Sequence, residues 1–152
     1  MRVPIDLVRE FIQNHVPFNK HLGFELATLE DGFCRLELEA RPEHIGDPLR
    51  PALHGGVIST MCDAAGGAAV WTRVEPLDRI STIDLRVDYL APGRLARLVA
   101  EATVMRVGNH VGVVDVRCFH ADTPDETIAV ARAVFSVKRG GTTLVPSEKV
   151  GS

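Results

Sequence analysis

The hydrophobic pattern changes period several times along the chain, and each change marks an element. Between residues 4 and 15, Ile5, Val8, Phe11 and Ile12 recur at three- and four-residue steps, opposite Asp6, Arg9, Glu10 and Gln13. That period predicts an amphipathic helix, which Pro17 ends. Residues 24–29 form a short strand candidate, and Asp31-Gly32 a turn. Residues 33–40 alternate, with Cys34, Leu36, Leu38 and Ala40 on one face and Arg35, Glu37 and Glu39 on the other. Residues 41–52 hold Pro42, Pro48, Pro51 and Gly46 and read as a loop. Residues 56–70 are rich in alanine and apolar on every side, which predicts a buried helix of about four turns. Four strand candidates follow, at 80–89, 95–107, 111–120 and 128–137. On the first, Ser81, Ile83, Leu85, Val87 and Tyr89 share one face and Thr82, Asp84, Arg86 and Asp88 the other. The order is helix, two strands, buried helix, four strands, with short connections. It predicts an α+β fold, an antiparallel sheet curved around one central helix. The far side of that helix needs cover, which a second copy of the chain would supply as a dimer.

Composition adds limits. The chain has 152 residues, enough for one domain with a real core. That domain is expected over 1–140, with a polar, frayed tail at 141–152. Net charge is −3, and no basic cluster carries interleaved aromatics, so no nucleic-acid partner is expected. Cys34, Cys62 and Cys118 are odd in number and lack a C-x-x-C spacing, which suits reduced, buried thiols. The N-terminus has no apolar segment or cleavage site of a signal peptide. Residues 57–71 are too short and interrupted for a membrane span. A cytoplasmic protein without membrane association is expected. The histidines show no metal-ligand spacing, so no metal is expected.

The stretch Leu53-His54-Gly55-Gly56-Val57-Ile58 is the most informative. It opens the central helix, and Asp63 is the only charged residue from Val57 to Trp71. The first N–H groups of a helix lack internal partners, and the dipole there favours negative charge. A glycine-opened helix start is thus a natural oxyanion site. Burying a lone carboxylate among apolar residues is costly and raises its pKa, which suits it to accept a proton near neutral pH. Each feature alone has a plain structural reading: His54 as a bonded core histidine, Gly55-Gly56 as a turn, Asp63 as half of an ion pair. Their combination points to a site.

At this point the chain resembles a hotdog-fold thioesterase of the phenylacetate-pathway (PaaI-like) type. The resemblance rests on Pro17-Phe18…Leu22-Gly23, the Leu53–Ile58 stretch, Asp63 nine positions after His54, and Asp84…Tyr89-Leu90-Ala91-Pro92 on the following strand. It implies hydrolysis of acyl-CoA thioesters with no metal and no dissociable cofactor, coenzyme A being part of the substrate. It implies that the Gly55 N–H polarises the thioester carbonyl, that Asp63 acts as base or nucleophile, and that His54 positions the thioester end, with Gly56 completing the glycine pair. Thr82 is the hydroxyl expected to orient water. The resemblance also implies sites between the subunits of a homodimer, commonly paired into tetramers. A helix rise of about 10 Å between Gly56 and Asp63 agrees with this, because Asp63 is too distant to serve a carbonyl held by its own Gly55.

One position departs from the family pattern. Many relatives carry an Asn donor in the preceding loop, and Asp47 stands in its place. An ionised Asp cannot donate, so Asp47 is protonated, another group donates, or activity is weak. For the CoA phosphates the cationic candidates are Arg94, Arg97, Arg106, Lys138 and Arg139. The competing readings are a non-catalytic acyl-CoA-binding protein and a hotdog-fold hydratase or dehydratase.

Overall fold

The protein is described by a computed structural model over residues 3–140. The expected tail at 141–152 lies outside the described residues. Six strands form one antiparallel sheet: β1 (Glu25–Glu30), β2 (Phe33–Leu38), β5 (Arg79–Tyr89), β6 (Leu98–Val107), β7 (Val111–His120) and β8 (Thr127–Lys138). Their order across the sheet is β1-β2-β6-β7-β8-β5. The inward residues of β2, Cys34, Leu36 and Leu38, are fully buried, as the alternation predicts. Residues 41–52 are not a bare loop. They hold a 3-10 turn at Pro42–His44 and a small hairpin of β3 (Ile45–Asp47) and β4 (Ala52–Leu53). A pattern of prolines hides such short pairings, because two- and three-residue strands have no readable period.

The N-terminal segment also departs from expectation. In place of one helix there are α1 (Ile5–Glu10), a wider π turn at Phe11–His15 and α2 (Pro17–Leu22). Pro17 occupies the first turn of α2, where no N–H is needed, so it starts a helix as well as ending one. Gly23 closes α2 in a left-handed conformation, φ 88°. Val8 and Ile12 are buried, while Phe11 turns outward and stacks edge-on against Trp71. The segment also covers one sheet edge. Leu26 N–H donates to Gln13 Oε1 (2.8 Å) and Arg9 Nε donates to the Leu26 carbonyl (3.2 Å). Edge strand β1 is thereby blunted against further pairing.

The central helix, α3 (Gly55–Trp71), lies against the inner face of the sheet. Met61, Cys62, Ala65, Ala69 and Val70 are fully buried there. Cys62 and Cys118 bring their sulfurs to 3.4 Å across the helix–sheet contact. Within one chain the helix is covered on the sheet side only. Gly55, Gly56, Ser59, Thr60, Asp63, Ala64 and Gly67 are only half-buried and recur at helical period along one stripe. Small and weakly polar residues there kept the pattern from reading as amphipathic. No described helix is long and apolar enough to cross a membrane.

Strand β5 departs from its predicted alternation. Thr82 opposes Phe135 and Asp84 opposes Val134, leaving Ile83 as an extra, bulged residue. The bulge resets the faces. Ile80, Leu85 and Val87 pack toward the core, so Thr82 shares the inner side with Ile80 and not with Asp84. Ile83 is 59% exposed.

His44 and His120 are buried. His120 Nε2 accepts from the Arg94 N–H at 2.9 Å, and His44 Nδ1 accepts from the Arg41 N–H at 3.0 Å. Burial is the main cause that holds both below the ordinary histidine value, with Arg41 adding to it at His44 and Arg94 at His120. As pH falls, the unfolded chain therefore takes up protons first. Their contribution to stability is complete above about pH 6.5 and is lost as pH falls through the folded values. We expect the denaturant midpoint to drop between about pH 7.5 and about pH 5.5, and His120→Gln to remove part of that drop. A midpoint flat across this range would contradict the arrangement.

Candidate active site

His54 is placed by two backbone bonds: its N–H donates to the His44 carbonyl (2.8 Å), and Leu53 N–H next to it donates to the Gly93 carbonyl (2.9 Å). The loop and the Pro92-Gly93 turn thus form one platform for the start of α3. His54 is the N-cap, and its Nδ1 accepts from the Gly56 N–H at 2.8 Å. An accepting Nδ1 leaves the imidazole proton on Nε2. The ring is exposed and is not a core histidine. The Val57 N–H is taken by the His54 carbonyl at 3.0 Å. The Gly55 N–H is the first of the helix, where no intrahelical acceptor exists. A Cβ on Gly56 would sit 2.8 Å from His54 Nδ1, closer than such contacts allow. Gly56→Ala is therefore expected to open the cap, with a loss of about 1 kcal/mol of stability that a denaturant titration would detect.

His54 and Gly55 line one cavity of about 490 Å³, with Asp47, Arg50, Ile58, Tyr89 and the 90–93 turn. Tyr89 Oη donates to the Gly55 carbonyl at 2.9 Å.

Asp63 lies elsewhere. It lines a second cavity of about 370 Å³ with Phe18, Ser59, Thr60, Thr82 and Leu85. Thr82 Oγ1 donates to Asp63 Oδ1 at 2.6 Å; the β5 bulge brings it inward to do so. Within one chain Asp63 is half-buried. Thr60 and Ser59 donate their hydroxyls to the Gly56 carbonyl (2.6 and 3.1 Å). Within one chain, then, the structure gathers His54, Gly55, Gly56 and Asp47 in one place and Asp63 with Thr82 in another. It does not bring the two groups together.

Asp47 is turned to Arg50. Its carboxylate accepts from Arg50 Nε (2.7 Å) and from the Leu49 N–H (3.0 Å). The hydrogen bond from Arg50 is the main cause holding Asp47 below the usual carboxylate range, with the Leu49 N–H next. The option of a protonated, donating Asp47 is thereby corrected: it is an anion engaged by a cation. Three of the predicted phosphate-binding cations are also engaged. Arg97 is paired with Glu25, Glu37 and Glu39, Arg94 with Asp122, and Arg139 with Asp78. The sequence assigns no role to Arg50, and Tyr89 enters only through the strand alternation and the Tyr89-Leu90-Ala91-Pro92 run. The signals were there, a cation inside the proline-rich loop and the chain's one tyrosine ending the strand after the helix.

A larger concavity of about 550 Å³ lies on the outer face of the sheet. Its charges are largely matched, Arg132 with Asp115 and Arg86 with Asp88, and it holds none of the residues above. Nor is a thiol available as nucleophile. Burial pushes the Cys34 thiol up to about 12, and the hydrogen bond with Cys118 together with burial raises that of Cys62, so both are uncharged at neutral pH. Among the described residues, no group of three or more His, Cys, Asp or Glu is placed to hold a metal ion.

Residues 51–127, which include Gly55, Asp63 and Thr82, match the family model described as Thioesterase superfamily. The chain belongs to the thioesterase superfamily. A relative named medium/long-chain acyl-CoA thioesterase YigI, from Escherichia coli strain K12, is 38% identical over 146 residues, covering 88% of this chain and 93% of its own. The protein of the same name from Salmonella typhimurium matches to the same extent. Among solved structures, a thioesterase-superfamily protein from Shewanella oneidensis superposes with a TM-score of 0.77 at 28% identity, over 87% of this chain and 94% of that one. A thioesterase from Haemophilus influenzae gives a TM-score of 0.80 at 19% identity, over 95% and 97%, a likeness of fold. The six-stranded sheet around α3 is the hotdog thioesterase fold.

Proposed function

We propose that this thioesterase-superfamily protein hydrolyses medium- and long-chain acyl-CoA thioesters to free acid and CoA, in sites shared between two copies of the chain. The observation that carries the shared site is the separation of the oxyanion half, around Gly55, from the carboxylate half, around Asp63, into two cavities of one chain. A second copy supplies the missing half. The acyl class is taken from the YigI relatives, and the apolar lining of Phe18 and Leu85 beside Asp63 suits it.

The place of contact is argued from the edges. Strand β1 is blunted by Arg9 and Gln13. Strand β5 pairs only with β8 among the described residues and carries exposed Ile83 and Tyr89. An open, apolar-bearing edge is a pairing template, and pairing of β5 with its copy yields a two-fold dimer. Further pairing into a tetramer rests on the family resemblance. Three free, buried thiols suit a reducing compartment, and we place the enzyme in the cytoplasm.

In the proposed reaction the thioester carbonyl accepts from the Gly55 N–H of one copy. The Asp63 carboxylate of the other copy, oriented by Thr82, takes a proton from water as the water oxygen attacks the carbonyl carbon. Negative charge on the carbonyl oxygen is stabilised by the fixed N–H. Collapse breaks the C–S bond, and CoA leaves as the thiol, taking the proton. No metal or separate cofactor enters.

Thiol release across a panel of acyl-CoAs tests the reading. Turnover greatest on medium and long chains supports it. Acyl-CoA binding without turnover would overturn it in favour of a non-catalytic binding protein. Arg50 lines the Gly55 cavity and, although paired with Asp47, keeps 71% of its side chain exposed, so it is the cation proposed to meet the CoA phosphates. Arg50→Ala is expected to raise KM several-fold with a smaller change in kcat, an effect that shrinks as salt screens it. An unchanged KM at low salt would remove Arg50 from that role.

A further inference from the structure

We infer that Tyr89 is a positioning residue that clamps the Gly55–Gly56 peptide together with His54, and so aims the Gly55 N–H at the thioester carbonyl. The inference rests on the reading of Gly55 as oxyanion donor. The two bonds grip one peptide unit from opposite ends. Its carbonyl, that of Gly55, accepts from Tyr89 Oη at 2.9 Å, and its N–H, that of Gly56, donates to His54 Nδ1 at 2.8 Å. The preceding peptide is held as well, because the His54 carbonyl accepts from the Val57 N–H. Among the described residues the Gly55 N–H is the polar group left free between them, and its direction is fixed by its neighbours.

The clamp also accounts for both glycines. A Cβ on Gly55 would lie 3.2 Å from Tyr89 Cε1 and Cζ, and one on Gly56 would lie 2.8 Å from His54 Nδ1. Each glycine thus faces one arm. Two successive residues without side chains leave the backbone free to rotate, and a donor that rotates stabilises an oxyanion poorly, since such stabilisation depends on groups already aimed before reaction. The stability of a single chain does not explain the tyrosine: there Tyr89 is 52% exposed at the end of an edge strand, and water would satisfy its hydroxyl and the Gly55 carbonyl equally well.

The test is Tyr89→Phe, which keeps the ring against Gly55 and removes the hydroxyl. We expect kcat to fall about tenfold with KM within about twofold of wild type, the signature of an interaction used in the transition state. The second readout is the infrared stretch of a carbonyl-13C ketone analogue of acyl-CoA, a methylene replacing the thioester sulfur. Bound to the wild-type protein, the stretch should be red-shifted from its value in solution, and in Tyr89→Phe it should move back. Unaltered melting of the variant would exclude a folding defect, and because the analogue is read in the bound, folded fraction, a modest change in melting does not affect the infrared result. A wild-type red shift that persists unchanged in Tyr89→Phe would overturn the clamp and leave Gly55 as donor. No red shift in the wild type would overturn the Gly55 reading, and the clamp with it.

Discussion

Asp63→Asn is expected to lower kcat by about two orders of magnitude or more, with folding intact and KM little changed. The asparagine fills the same volume and still accepts the Thr82 hydroxyl, whose bond to Asp63 Oδ1 is 2.6 Å in the native chain. What it loses is the basic oxygen. Because Asp63 is half-buried on the open stripe of α3, the replacement leaves no buried cavity and no stranded charge, so a stability change should be slight. Thiol-release kinetics on a good acyl-CoA read the effect, and thermal melting reads the control. A kcat near the wild-type value would remove Asp63 from the chemistry. Thr82→Val should give a smaller loss, because it frees the carboxylate to turn but leaves the carboxylate itself in place.

Mixing two inactive proteins is expected to restore activity. Take Asp63→Asn as one and Gly55→Val as the other, whose side chain would drive into the Tyr89 ring that already lies 3.2 Å from an ideal Cβ there. Each homodimer lacks the same half in both sites. In a heterodimer, one site pairs an intact Gly55 with an intact Asp63, and the other site carries both defects. With free exchange, half of the dimers are mixed and half of their sites are good, so recovery should reach about a quarter of wild type in a two-fold assembly. Co-expression with different affinity tags isolates the heterodimer and removes exchange as a variable. If the purified heterodimer stays inactive, both halves of the site come from one chain. A charge on the open edge, Ile83→Asp, offers a second route: it should yield a monomer in light scattering and abolish turnover together. An active monomer would contradict the shared site.

The hydrophobic periods carry much of the fold. The alternation of Cys34, Leu36 and Leu38, and the long apolar runs that became β6, β7, β8 and α3, place six strands and a central helix within a residue or two of where they lie, apart from the start of β6. These elements are legible because each buries one continuous face, and burial forces a period on the sequence. The local chemistry around His54, Gly55 and Gly56 is legible for a related reason: a helix start with adjacent glycines makes few other structures. Elements without a long buried face were not readable in this way. The β3–β4 hairpin and the π turn are too short to show a period, and Pro17 is compatible with either end of a helix.

What the tertiary structure alone decided is how the polar groups are aimed. The bulge at Ile83 turns Thr82 toward Asp63, and no local signal marks a bulge in a run of alternating residues. The pairing of Asp47 with Arg50 makes an anion of a residue whose position had suggested a donor. The bond from Tyr89 to the Gly55 carbonyl joins residues 34 positions apart. Burial of apolar side chains is non-directional and repeats along a chain, so sequence records it as pattern. A hydrogen bond depends on the distance and angle between two particular atoms, and those exist only once the sheet has closed around the helix.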